Sequence, residues 1–223
     1  IADGISVNVT LIFSVERHEQ VMQAFMAGLE DRAARGLALD GIRSVASFFV
    51  SRVDSKVDRS IDEAAATMPP GSAKRAELEG LRGHAAVANA RIAYARFLEV
   101  SGGERWRALV SKGAHPQRPL WASTSTKNPA YRDVLYVEEL VGRDTVNTMP
   151  PATLAAFNDH GAVEARIGHG LAAAHALFQR LPKLGVPLAR LVDELEPEGV
   201  AAFAKSFDAL LAALEAKRRE LVA

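Results

Sequence analysis

Polar and apolar residues alternate through SVNVTLIF at residues 6–13, with Val7, Val9 and Leu11 on one side and Asn8 and Thr10 on the other. A period of two predicts a β-strand with unlike faces. Residues 15–36 then carry Val21, Phe25, Leu29 and Ala33 at four-residue spacing, an amphipathic helix stopped at Gly36. SVASFFVS at 44–51 reads as a second strand, and residues 54–66 as a helix broken by MPPGS at 68–72. A long Ala-rich helix is expected over 73–100, closed by Gly102 and Gly103, and a short one over 104–112. RPLWAST at 118–124 is a third strand, VLYVEELVG fits helix or strand, and DTVNTM at 144–149 is a fourth strand. PPATLAAF starts another helix with proline in its first turn, and 163–223 reads as helical, with Phe203, Phe207, Leu210, Leu214 and Leu221 on one stripe.

Strands alternating with helices imply a parallel sheet with helical crossovers. Four such units make half of an eight-unit barrel, or a small open doubly wound sheet. No glycine-rich phosphate loop is present, neither GxGxxG nor GxxxxGK[ST], and this favours the barrel. The opening IADG reads as the last turn of a helix stopped by Gly4, which places residue 1 inside a larger fold.

Composition changes this picture little. With 223 residues and 48% hydrophobic content, the chain can bury a sizeable core in one domain or part of one. Its 27 basic and 27 acidic residues cancel, so neither a nucleic-acid footprint nor a polybasic membrane surface is expected. The absence of cysteine rules out disulfides and thiolate metal sites and suits a cytoplasmic setting. No apolar run reaches the roughly 18 residues of a membrane span.

In a barrel, alternate strand residues face the lumen, whose carboxyl-end mouth carries the chemistry. Asn8 and Thr10 would then face a polar ligand or an ordered water, or else satisfy one another or a neighbouring strand within a polar core layer. On the second strand Ser47, Phe49 and Ser51 share a face, and Arg52 follows where a loop should begin. A guanidinium there suits an oxyanion or phosphate; the alternative is a surface arginine paired with Asp54 or Asp58. Asp54, Asp58 and Asp62 recur every fourth residue and read as a solvated helix face. Lys127, beyond the third strand among serines and threonines, reads as a charge contact for phosphate and not as a Schiff-base lysine, which needs a desolvated interior position. The remaining lysines fall on helices or helix ends. His18, His84, His115, His160, His169 and His175 show no metal-type pairing, so no metal site is expected. Trp106 and Trp121 read as core.

Three stretches carry a family resemblance: DGISVNVTLIFS at 3–14, SVASFFVSRVDSKVD at 44–58 and RPLWASTSTKNPAYRDVLYVEELVGRDTVNTMPPATL at 118–154. In these stretches and their order the chain resembles the transaldolases, most closely those of actinobacteria. The resemblance implies an α/β fold of the TIM (β/α)8-barrel family, with residues 1–223 forming about the last four strand–helix units plus carboxyl-terminal helices of one barrel domain, from just before strand five. It implies transfer of a dihydroxyacetone unit from sedoheptulose 7-phosphate to glyceraldehyde 3-phosphate through a lysine Schiff base, with no metal or organic cofactor. By the same resemblance Asn8 holds the hydroxyls of the three-carbon unit and Thr10 positions the catalytic water. Ser47 is a hydroxyl contact, Phe49 lines the substrate site, and Arg52 grips the substrate phosphate. Lys127 stands where many relatives place a second phosphate-binding arginine. The Schiff-base lysine of the family lies upstream of residue 1, so the isolated chain is expected to be inactive. The implied partners are sugar phosphates, with a homo-oligomer or a separately supplied amino-terminal half completing the barrel; no nucleic acid or membrane is implied. The alternative is a non-catalytic sugar-phosphate-binding or assembly module.

Overall fold

The computed structural model describes residues 1–222. In chain order the elements are β1 (Val7–Ile12), α1 (Val15–Ala34), β2 (Ser44–Phe49), α2 (Ser51–Ala66), α3 (Ala73–Glu79), α4 (Ala85–Gly102), α5 (Glu104–Val110), β3 (Gln117–Ala122), α6 (Leu135–Glu139), β4 (Val146–Asn147), α7 (Pro151–His160), α8 (Leu171–Lys183) and α9 (Leu188–Val222). The four strands form one parallel sheet in the order β1-β2-β3-β4. Sequential order without reversal, combined with right-handed crossovers, carries every connection over the same face. A doubly wound sheet would need a reversal, and among the described residues the sheet has none.

The two faces differ as the alternation requires. Val7, Val9 and Ile12 pair in register with Ser44, Ala46 and Phe48, and this face lies under the helices. Phe48 meets the edge of Trp121 at 5.9 Å, and both are fully buried. Asn8 and Thr10 point to the other, open side and are exposed. The strand period slips once. Between the Val9–Ala46 and Ile12–Phe48 pairs, Thr10 and Leu11 together oppose Ser47, a β-bulge with Leu11 at φ +59°. Ile12 therefore continues the buried face, where simple alternation assigns Leu11. The Leu11 side chain instead turns towards Gly199 of α9, where an added Cβ would lie 3.1 Å from its Cδ2.

Several boundaries differ from the sequence pattern. The helix expected over 73–100 is two, α3 and α4, because Gly80 caps the first and Gly83 adopts φ +75° before the second begins. α2 begins at Ser51, so Arg52 lies in a helical first turn and not in a loop. β4 is only two residues long, and Thr148 N donates to Trp121 O at 3.1 Å just beyond it, before the prolines that start α7. Residues 161–170 are not helical; Gly161 caps α7, and Gly170 at φ +71° begins α8. The first turns of α9 bury Leu188, Leu191, Val192 and Leu195. Beyond Gly199 the stripe Phe203, Phe207, Leu210, Leu214 and Leu221 is exposed. No helix among the described residues is long and apolar enough to cross a membrane.

His18 on α1 sits edge-on to Phe48 at 5.7 Å, fully buried, with neither ring nitrogen hydrogen-bonded. Burial disfavours its cation and lowers its pKa to about 4. The unfolded chain takes up this proton below about pH 6.5, whereas the folded chain resists until about pH 4. Folding stability is thus full above pH 6.5 and falls as pH drops towards 4, by about 3 kcal/mol from this group. His18→Phe keeps the ring contact and removes the titration, so its urea midpoint should fall less between pH 7 and 4.5 than that of the parent. Equal losses in the two proteins would contradict this.

Candidate functional site at the carboxyl ends of the strands

The bulge of β1 and the end of β2 bring together the first polar pair. Ser47 is buried, and its Oγ donates to Asn8 Oδ1 at 2.7 Å. That bond fixes the amide orientation and leaves Asn8 Nδ2, on the exposed side, without a protein partner among the described residues. The Thr10 hydroxyl, one bulge position on, also has none. The two side chains do not bond one another; Asn8 Oδ1 is satisfied by the neighbouring strand, as the polar-core reading allowed, while Asn8 Nδ2 and the Thr10 hydroxyl have no protein partner among the described residues. A cavity of about 650 Å³, walled by Ser6, Asn8, Arg43, Ser44, Pro116 and Arg118, lies at the amino ends of the strands; it reaches Asn8 but not Thr10, Phe49 or Arg52.

The second pair joins β2 to α2. Phe49 is half-buried, with the Phe13 ring 5.3 Å away, and carries the Arg52 guanidinium at 5.6 Å from its centroid. A guanidinium over an aromatic face is held in place without being neutralised. Arg52 has no carboxylate partner among the described residues, and the carboxylates that could have paired with it are engaged elsewhere. Asp54 accepts from Ala86 N and Tyr136 OH, while Asp58 accepts from Gly83 N and Tyr131 OH. The reading of Arg52 as a surface ion-pair member therefore fails. The strand ends are tied by Ser51 Oγ and Ser123 Oγ at 2.8 Å and by Ser51 N donating to Ser123 O at 3.0 Å. Ser123, at φ +57°, repeats on β3 the left-handed backbone of Leu11 on β1. Non-glycine residues in that region are uncommon and cluster where function over-determines the backbone.

Lys127 joins none of these contacts. Its ammonium donates to Ser125 Oγ at 2.8 Å, and its exposed side chain borders a separate cavity of about 290 Å³ with Asp58, Asp62 and Tyr131. Lys56, the lysine nearest the site on α2, is bound to Glu194 at 2.9 Å and Glu198 at 2.5 Å. None of the four strands carries a lysine.

The sequence reading missed the role of two acidic residues. Asp54 is 1% exposed, and burial raises its pKa to about 6 despite hydrogen bonds that favour the anion. Burial also raises that of Asp58, with the Asp62 charge adding to it and hydrogen bonds opposing. These are not members of a solvated helix face. The signal lay in the spacing: Asp54 shares the buried stripe of Val53, Val57 and Ile61. Asp62 alone fits the solvated description, exposed and paired with Arg82 at 2.6 Å.

A parallel sheet crossed on one face by helices defines an α/β protein, and the uncharged donors and the cation at the carboxyl ends of its strands make those ends its candidate site. The family model described as Transaldolase/Fructose-6-phosphate aldolase matches residues 1–214, and the chain belongs to this family. It is 50% identical over 217 residues to Transaldolase 1 of Streptomyces avermitilis, covering 97% of this chain and 55% of that protein. Against the Transaldolase of Thermobifida fusca it is 50% identical over 212 residues, 95% of this chain and 55% of the relative. Against that of Trichodesmium erythraeum the identity is 45% over 223 residues, 99% and 58% respectively. The chain thus spans little more than half the length of these relatives.

Proposed function

We propose that residues 1–223 form the last four strand–helix units of a (β/α)8 barrel and act as the substrate-gripping half of a transaldolase. The sequential parallel order of β1 to β4 supports this, as does the share of the relatives' length that the chain covers. The full enzyme moves a dihydroxyacetone unit from sedoheptulose 7-phosphate to glyceraldehyde 3-phosphate in the cytoplasm. The carbon unit is carried as an imine on a lysine that belongs to polypeptide outside these residues, since strands β1 to β4 hold none. The imine supplies the electron sink, so the scheme calls for no metal or organic cofactor.

The observation that carries the proposal is the Asn8–Ser47 bond at 2.7 Å beside the Phe49–Arg52 stack. Asn8 Nδ2 donates to the hydroxyls of the three-carbon unit, its orientation fixed by Ser47. Thr10 holds the water that moves the proton. Phe49 walls the chamber, and Arg52, un-neutralised, takes the phosphate bidentately. Lys127 adds a second positive charge at the entrance. Fixing hydroxyls and one water in a pocket closed to bulk solvent is what an imine intermediate needs.

The test is complementation. The chain alone should show no transfer from fructose 6-phosphate to erythrose 4-phosphate; joined to the first half of the Streptomyces avermitilis relative it should turn over. A non-catalytic sugar-phosphate-binding module would bind fructose 6-phosphate in calorimetry yet stay inactive in the joined protein, and that result would overturn the proposal.

A further inference from the structure

We propose that Asp54 is a positioning residue for the phosphate grip: its buried carboxylate sets the rotation of the α2 turn that carries Arg52. This rests on the transaldolase reading above and adds a residue given no role there.

Arg52 and Asp54 both belong to the first turn of α2, which starts at Ser51. The Arg52 guanidinium rests on the Phe49 face and has no carboxylate partner among the described residues, so its place is set by its own backbone. The usual device for fixing a helix start is missing, because the N-cap is Val50 and makes no side-chain hydrogen bond. Two other ties bracket Arg52. On its amino side, Ser51 is held to Ser123 by backbone and hydroxyl, at 3.0 and 2.8 Å. On its carboxyl side, the fully buried Asp54 uses one oxygen for each of two donors: Oδ1 accepts from Ala86 N at 2.7 Å, and Oδ2 from Tyr136 OH at 2.8 Å. Ala86 N is a first-turn donor of α4, with no partner inside its own helix, and Tyr136 belongs to α6. The carboxylate thus joins three helices at one point. Successive helical residues are turned by about 100°, so Arg52 and Asp54 lie about 200° apart around the axis. A turn whose Asp54 side is held inward therefore keeps Arg52 on the opposite side, where it meets Phe49. Val53, Val57 and Ile61 press α2 against the core, but apolar contact is non-directional and tolerates small rotations. Hydrogen bonds to both carboxylate oxygens do not. Asp58, one turn on and on the same side, accepts from Tyr131 OH at 2.6 Å and seats the rest of the helix.

Tyr136→Phe keeps the ring and removes one of the two bonds, while Asp58 keeps α2 seated. In the complete enzyme, KM for fructose 6-phosphate should rise about threefold to tenfold, the loss of one hydrogen bond, with kcat within about twofold. Asp54→Asn leaves one acceptor where there were two and should act in the same direction. With unphosphorylated fructose as donor neither variant should change KM, because no phosphate is gripped, whereas a merely structural defect would penalise both donors alike. Adding Tyr136→Phe to Arg52→Ala should raise KM no further, since Asp54 acts through that arginine. Equal effects on both donors, full additivity with Arg52→Ala, or unchanged KM for fructose 6-phosphate in both variants would overturn the role. Arg52→Ala alone separates this from the parent reading. If it raises KM while Tyr136→Phe and Asp54→Asn do not, only the Asp54 role fails; if it too leaves KM unchanged, the phosphate grip fails and the Asp54 role with it.

Discussion

Replacing Thr10 by valine in the complete enzyme is expected to lower kcat about 100- to 10,000-fold, the range over which a positioned proton-transfer group acts. KM should move little, because the change removes a hydroxyl without altering volume. Thr10 sits in the bulge between the Val9–Ala46 and Ile12–Phe48 pairs, exposed and without a protein hydrogen bond among the described residues. A hydroxyl that satisfies nothing in the fold can be removed without a stability penalty, so the loss reads as chemistry. Thr10→Ser should recover most of the rate. A Thr10→Val enzyme with near-parent kcat would mean that water is held by another group.

Arg52→Ala should raise KM for phosphorylated sugars about 10- to 150-fold, corresponding to the roughly 1.5–3 kcal/mol of a charge-assisted contact. The guanidinium lies 5.6 Å over Phe49 and has no acidic partner among the described residues, so its full charge is available to a ligand. The folded state loses that stacking, roughly 0.5–2 kcal/mol for a half-buried guanidinium. Arg52→Lys should fall between the two, since an ammonium keeps the charge but not the fork that meets two phosphate oxygens. Unchanged KM in Arg52→Ala would place the phosphate elsewhere on the open face.

Much of this arrangement was legible in the chain. The alternation of β1 marked Asn8 and Thr10 as facing away from the buried side, and the four strands and their parallel order followed from the alternation of periods. The bulge was not legible, because Leu11 at φ +59° breaks the rule that reserves this conformation for glycine and short polar residues. The division between α3 and α4 was written in Gly80 and Gly83, but the Ala-rich pattern on both sides masked it. Asp54, Asp58 and Asp62 were read from their own four-residue recurrence, which hid the place of Asp54 in the Val53–Val57–Ile61 stripe; the spacing of the apolar residues was the better guide. Arg52 was assigned to a loop because a strand-end arginine looks the same whether a loop or a helix follows. Lys127 shares a cavity with Asp58 and Asp62 of α2, 60 or more residues away along the chain, a long-range fact that no local pattern carries.

Borohydride reduction in the presence of fructose 6-phosphate, followed by peptide mapping of the joined protein, bears most directly on whether this chain is the gripping half of the barrel. The expected result is one three-carbon adduct on a lysine outside residues 1–223, abolished in Asn8→Ala even though that variant keeps the reacting amine. An adduct on Lys127, Lys56 or any other lysine of this chain would contradict it.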